Sequence, residues 1–188
     1  MIRIGITGSL ASGKSTASKI ISRGRGPLFN ADLVVKKLYS KQSFRKLVAQ
    51  KLNLKLNKHL NKNIKNMVIE KKETLKKLEK IIHPLVRKNM RIFSNINKNK
   101  KFLFFEIPLL VESKLLRYFD IVIFIKSKKT LRLKRYLSKR GNSKLFNFLD
   151  RQQIKANKKT KYCDYIVVNN SSLNVLKKNL LNIIQFYE

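Results

Sequence analysis

The chain is short of cysteine and of acidic groups, and each shortage narrows what it can be. One cysteine, Cys163, among 188 residues leaves no internal disulfide to form, and a lone thiol of this kind is expected to be a small core residue. No run of about 18 apolar residues occurs, so no membrane span and no membrane partner are expected. The amino end enters at once the alternating Ile2, Ile4 and Ile6, leaving no room for a charged-then-apolar leader. With the cysteine usage, that points to the cytoplasm. No His/Cys cluster suggests a structural metal, and no Ser/His/Asp constellation is evident. Only 10 Asp+Glu stand against 44 Lys+Arg, for a formal net charge of +34. Such an excess invites a nucleic-acid reading. The basic residues, however, are spread from Lys36 to Lys178 among Asn and Leu, without an RNP-like, helix-turn-helix or zinc-knuckle pattern. Biased Lys/Asn usage accounts for that spread. No specific nucleic-acid partner is expected, although salt-sensitive RNA binding would follow from charge alone.

What is present begins at residue 8. Gly8, Ser9, Leu10, Ala11, Ser12, Gly13, Lys14 and Ser15 form a complete G-x-x-x-x-G-K-[ST] loop. The β-branched run before it reads as a strand, and the segment from Thr16 to Ile21 as a helix. Such a loop curls on its glycines so that backbone N–H groups point at an anion, with the positive end of the helix behind them. Lys14 can then reach β- and γ-phosphates, and the Ser15 hydroxyl can ligate Mg²⁺. The bland alternative is a Gly-rich turn at a helix end.

Five short apolar runs, residues 2–6, 27–29, 102–105, 121–125 and 165–168, alternate with helix-like stretches. That predicts a three-layer α/β domain, a five-stranded parallel sheet with helices on both faces. Residues 33–100 are too long for a simple crossover. Leu75, Leu78, Ile81, Ile82, Leu85 and Val86 recur there at helical spacing, so a helical subdomain carrying substrate contacts is expected, or else a solvated helical cap. Residues 57–66, rich in Asn and Lys, read as a loop, and Pro84 predicts a helix boundary or kink near Ile82 and His83. Residues 128–160 carry Arg132, Arg135, Lys139, Arg140, Arg151 and Lys159, where a basic lid would close over a nucleotide. A solvated basic helix is the alternative.

With so few acids, their positions are informative. Asp32 follows the second strand, on the ligand side of a parallel sheet, as either a base for an attacking hydroxyl or an N-cap. Glu106 ends the third strand, where a carboxylate supports bound Mg²⁺ or pairs with a lysine. Glu112 reads as structural. His83 faces a ligand or is a hydrogen-bonded structural histidine.

Taken together, these segments resemble the dephospho-coenzyme A kinase family over nearly the whole chain. The loop from Ile6 to Thr16 is similar to that family's opening, and Asn30-Ala31-Asp32 to its Asp-Ala-Asp. The stretch Leu78-Glu79 to His83-Pro84 resembles its Leu-Glu…His-Pro helix. Glu106-Ile107-Pro108-Leu109-Leu110-Val111-Glu112 resembles its Asp-x-Pro-Leu-Leu-Phe-Glu. Gln153, Lys159 and the run from Cys163 to Asn170 resemble its closing pattern. The resemblance implies transfer of the ATP γ-phosphoryl group to the ribose 3′-hydroxyl of dephospho-coenzyme A, in a monomer or weak oligomer. It implies ATP contacts from residues 8–16, Arg135 and Asn169, with Mg²⁺ held by Ser15 and, through water, Glu106. Asp32 would be the base, Lys14 would stabilise the transferring charge, and Arg140 or its neighbour Lys139 would act from the lid. Asp32, His83, Pro108 and Leu109 would meet the acceptor. The sequence departs from the family pattern at Asn30 for Asp, at Asn61 for Arg and at Leu149 for Arg. The rival readings are another small-metabolite or nucleoside monophosphate kinase, and a basic RNA-binding protein with a vestigial loop.

Overall fold

Each apolar run becomes a strand: β1 (Ile2–Gly8), β2 (Leu28–Asn30), β3 (Phe102–Glu106), β4 (Ile121–Lys126) and β5 (Tyr165–Val168). They are seen in a computed structural model that describes residues 1–188, the side chain of Lys72 excepted. All neighbours are parallel, in the order β2-β3-β1-β4-β5. β1 is central, with Ile4 in register with Phe104 on one side and Ile121 on the other. Every residue of β3 is buried, as are the first five of β4. That is why these segments read as unbroken apolar runs rather than alternating ones.

The helix α1 (Lys14–Ser22) follows β1. Four helices lie between β2 and β3: α2 (Ala31–Tyr39), α3 (Gln42–Lys51), α4 (Leu60–Glu70) and α5 (Lys72–Ile96). Between β4 and β5 come α6 (Lys129–Leu137), α7 (Ser143–Gln152) and α8 (Ala156–Lys159), and α9 (Leu173–Gln185) closes the chain. Ala17 and Ile21 of α1, with Leu176, Leu180 and Ile184 of α9, bury one sheet face of Ile4, Ile6, Phe104, Ile123 and Val167. Side chains alternate across a strand, so Leu103, Phe105, Val122 and Phe124 face the other way. There Leu110 and Phe119 close over Gly5, with the Phe105 and Phe119 rings edge to face at 5.3 Å.

Residues 1–30 and 96–188 form one compact unit and residues 31–95 a second. Within the second, Tyr39 meets Phe44 edge to face at 5.1 Å. The loop expected at 57–66 is only partly there, because α4 begins at Leu60. Leu60, Ile64 and Val68 are its buried residues. Their spacing of four makes one apolar stripe, and burying that stripe outweighs the poor helix propensity of the interspersed Asn residues. Pro84 likewise does not end a helix, for α5 runs 25 residues with Pro84 inside it. The missing N–H forfeits one hydrogen bond. Pro84 is exposed, while the buried Thr74, Leu78, Val86 and Met90 continue one stripe on both sides of it.

Candidate active site

The phosphate loop leaves the C-terminal end of the central strand β1, from which the chain goes on to β2 on one side, while from the neighbouring β3 it goes on to β4 on the other. At such a switch an open parallel sheet forms its crevice. Two of its glycines are sterically required. At Gly8 (φ 154°) an added Cβ would lie 2.5 Å from the Ile125 carbonyl oxygen. At Gly13 (φ 96°), the residue before α1, it would collide with the Asn169 side-chain amide. Because α1 starts at Lys14, the N–H groups of Lys14, Ser15 and Thr16 have no carbonyl four residues back. With the helix dipole they favour an anion. Ser12 Oγ is buried without a hydrogen-bond partner, an orphan that a phosphate oxygen would satisfy.

The chemistry-bearing side chains gather around this loop. The buried Lys14 folds back so that Nζ donates to the carbonyls of Ser9 (2.9 Å) and Gly8 (3.2 Å). Ser15 Oγ donates to Glu106 Oε1 at 2.5 Å, and Asn30 Nδ2 donates to Glu106 Oε2. Asn30 and Glu106 are register partners at the ends of β2 and β3, so the sheet itself brings the two together. Glu106 is 2 % exposed, and both Ser15 and Asn30 donate to it. A hydroxyl and a buried carboxylate side by side are hard oxygen donors that fit Mg²⁺.

A loop that turns N–H groups inward turns carbonyls outward, and these need donors. Ser12 O receives the Asn169 amide (2.9 Å) and Arg135 Nη1 (3.3 Å), while Arg135 Nη2 donates to Asn169 O at 3.1 Å. Leu10 O receives Arg132 Nη1, and Leu10 N donates to Gln153 Oε1, each at 3.2 Å. Arg132 is 7 % exposed and is not a solvated basic residue. It is paired with Asp150 at 2.5 Å, a partnership that sequence reasoning missed. The available hint was that Arg132 and Arg135, three apart on α6, share one helix face. Glu112 is structural: it accepts from Ile154 N at 3.1 Å and pairs with the fully buried Lys159 at 2.5 Å.

The remaining candidates are dispersed. Pro108 and Leu109 are half-buried beyond β3, with Thr7 Oγ1 donating to Pro108 O at 3.1 Å. Lys139 and Arg140 are exposed at the turn after α6, Arg140 with φ 60°. Asp32 and His83 belong to the second unit. Asp32 is exposed in the first turn of α2, and Asn30, not Asp32, precedes that helix. His83 is half-buried, and its pKa is lowered by loss of solvent first and by Arg87 next, against an opposing effect of Glu79.

Cys163 is half-buried rather than a core residue, with Sγ donating to Lys159 O at 3.4 Å. Burial, helped by Asp164, pushes its thiol up to about 11. Since only the thiolate reacts, iodoacetamide at pH 8 should alkylate the folded protein about a hundredfold more slowly than the urea-unfolded chain. Mass spectrometry over time checks this, and equal rates would contradict the assigned burial.

An anion cradle on the central strand of a 2-3-1-4-5 parallel sheet, backed by a lysine and a serine–carboxylate pair, defines a P-loop kinase. Comparison with known proteins narrows the class. The family model for dephospho-CoA kinase matches residues 2–174. A dephospho-CoA kinase of Fusobacterium nucleatum is 32% identical over 94% of this chain and 94% of its own. Among solved structures, one from Thermus thermophilus superposes with a TM-score of 0.81 at 25% identity, covering 100% of this chain and 98% of its own. The dephospho-CoA kinase of Campylobacter jejuni gives 0.66 at 30% identity, covering 97% and 95%. The chain belongs to the dephospho-CoA kinase family. It is thus a kinase, and neither the small-metabolite kinase nor the RNA-binding alternative is favoured.

Proposed function

We propose that the chain transfers the γ-phosphoryl group of ATP to the ribose 3′-hydroxyl of dephospho-coenzyme A, giving coenzyme A and ADP. What carries the reading is an intact phosphate loop, with Lys14 buried against it and Ser15 bonded to Glu106, in a member of this family. The loop N–H groups and Ser12 Oγ hold the phosphate chain, and Arg135 and Asn169 border the nucleotide. On binding, Lys14 exchanges its two loop carbonyls for phosphate oxygens and follows the charge of the transferring group. Asp32 accepts the 3′-hydroxyl proton as that oxygen bonds to phosphorus and the bond to the ADP oxygen breaks. Ser15 and Glu106 would hold Mg²⁺, which when bound screens the charge of the phosphate oxygens. The residue 31–95 unit supplies acceptor contacts, including His83, and Pro108 and Leu109 are further candidate acceptor contacts. Arg140 or Lys139, from the segment after β4, adds positive charge at the leaving group. No helix among the described residues is long and apolar enough to cross a membrane; the cytoplasm is the proposed place of work.

Acceptor choice tests the reading. With Mg²⁺ and ATP, ADP release should rise at least tenfold over background with dephospho-coenzyme A, and not with AMP, shikimate or RNA. Stimulation by AMP or shikimate instead would point to another small-molecule kinase. No ADP with any acceptor would leave a binding protein.

A further inference from the structure

The residue at the tip of the phosphate loop is gripped from two directions. Leu10 donates its N–H to Gln153 and accepts Arg132 at its carbonyl, each at 3.2 Å. The next residue, Ala11, has φ 57°, a left-handed conformation that a side chain with a Cβ disfavours. Such a backbone persists only where its surroundings over-determine it. The grip is itself fixed. Arg132 is locked by Asp150 at 2.5 Å and lies over the fully buried Phe146 ring, 5.6 Å from its centroid. Gln153 directly follows α7, and the next N–H, that of Ile154, is held by Glu112, whose carboxylate is pinned by the buried Lys159. A continuous chain of polar contacts therefore runs from the segment after β3, through the end of α7, to Leu10.

We infer that Arg132 and Gln153 are positioning residues for the phosphate loop, presetting the Leu10–Ala11 backbone so that the anion cradle exists before the nucleotide arrives. This rests on the reading of the loop as the ATP site. A carbonyl that merely needed satisfying could have been left to water. Here a nine-tenths-buried guanidinium and a side-chain amide act on the two sides of one residue, next to the loop's one strained non-glycine position. Without them the loop spreads over several conformations, and apparent nucleotide affinity falls by the fraction that remains competent. The inference concerns affinity for the phosphate chain and separates these residues from any that touch the acceptor.

The test is calorimetric binding of ADP and of inorganic pyrophosphate, without dephospho-coenzyme A, to three variants. Gln153→Met keeps length and removes the acceptor, Gln153→Glu keeps an acceptor, and Arg132→Met combined with Asp150→Asn removes the donor without stranding a carboxylate. Loss of one such hydrogen bond should weaken both ligands roughly tenfold in Gln153→Met. Gln153→Glu should recover most of that, and the KM for dephospho-coenzyme A should stay within about twofold in all three. A lowered Tm with ADP and pyrophosphate affinities unchanged would reduce the contacts to ordinary structure and overturn the inference. Failure of the wild-type protein to bind ADP would instead overturn the nucleotide-site reading. Should the variants not fold, amide exchange of Leu10 in the unliganded wild type decides. Protection supports the preset loop, and exchange at the rate of an exposed amide refutes it.

Discussion

Lys14→Met should lower kcat/KM for ATP by about 10²–10³-fold while shifting Tm by no more than a few degrees. Two features of the site separate the effects. Lys14 is 8 % exposed, its ammonium held by the Gly8 and Ser9 carbonyls. A buried cation carries a desolvation penalty that such bonds only partly offset, so an apolar chain of similar length removes the penalty together with the bonds. Stability then changes little, in either direction. In the proposed reaction nothing would offset the loss, because charge on the transferring phosphoryl group would meet one fixed cation fewer. Lys14→Arg should not rescue, since the planar guanidinium cannot enter a cradle shaped for a compact ammonium. Steady-state kinetics beside thermal unfolding checks both halves. Activity within threefold of wild type would remove Lys14 from the chemistry.

That residue was legible because its motif is local: seven positions separate Gly8 from Ser15, and the physics of the loop lies within them. The strands were legible for a similar reason. Burial on both faces leaves β-branched and aromatic runs that turns and helices do not carry. Glu106 could be read as a strand-end carboxylate, and the structure adds its partners, Ser15 and Asn30. Asn30, the departure from the family's aspartate, donates to Glu106 where a second carboxylate would have repelled it.

What could not be read depends on distance along the chain. Strand order joins β1 to β3 across nearly a hundred residues, and the Arg132–Leu10 bond spans 122 positions. No periodicity within a window encodes either. The α4 helix was missed because Asn and Lys mask Leu60, Ile64 and Val68, whose stripe acts only once it is packed. Pro84 works in the opposite sense. A local rule offers a helix boundary or a kink there, and the boundary is absent because burial before and after it carries α5 through. Asp150 lies within a helix, away from any strand end, and carries no local signal of its pairing with Arg132, which ties α7 to the loop-gripping helix.

The acidic residue with the largest expected kinetic consequence is Asp32. Asp32→Asn should lower kcat by about 10²-fold or more, leave ATP affinity within about threefold, and hardly change Tm. As the second residue of α2, exposed in its first turn, Asp32 interacts favourably with the helix dipole. At such an exposed position that is worth only about 0.3–1 kcal/mol, so loss of the dipole interaction alone has a small effect on folding. In the role proposed for Asp32 the change would be absolute, because an amide cannot take the proton that the 3′-hydroxyl must release as its oxygen attacks phosphorus. A variant with wild-type kcat would return Asp32 to a helix-dipole role and require another group to receive the proton.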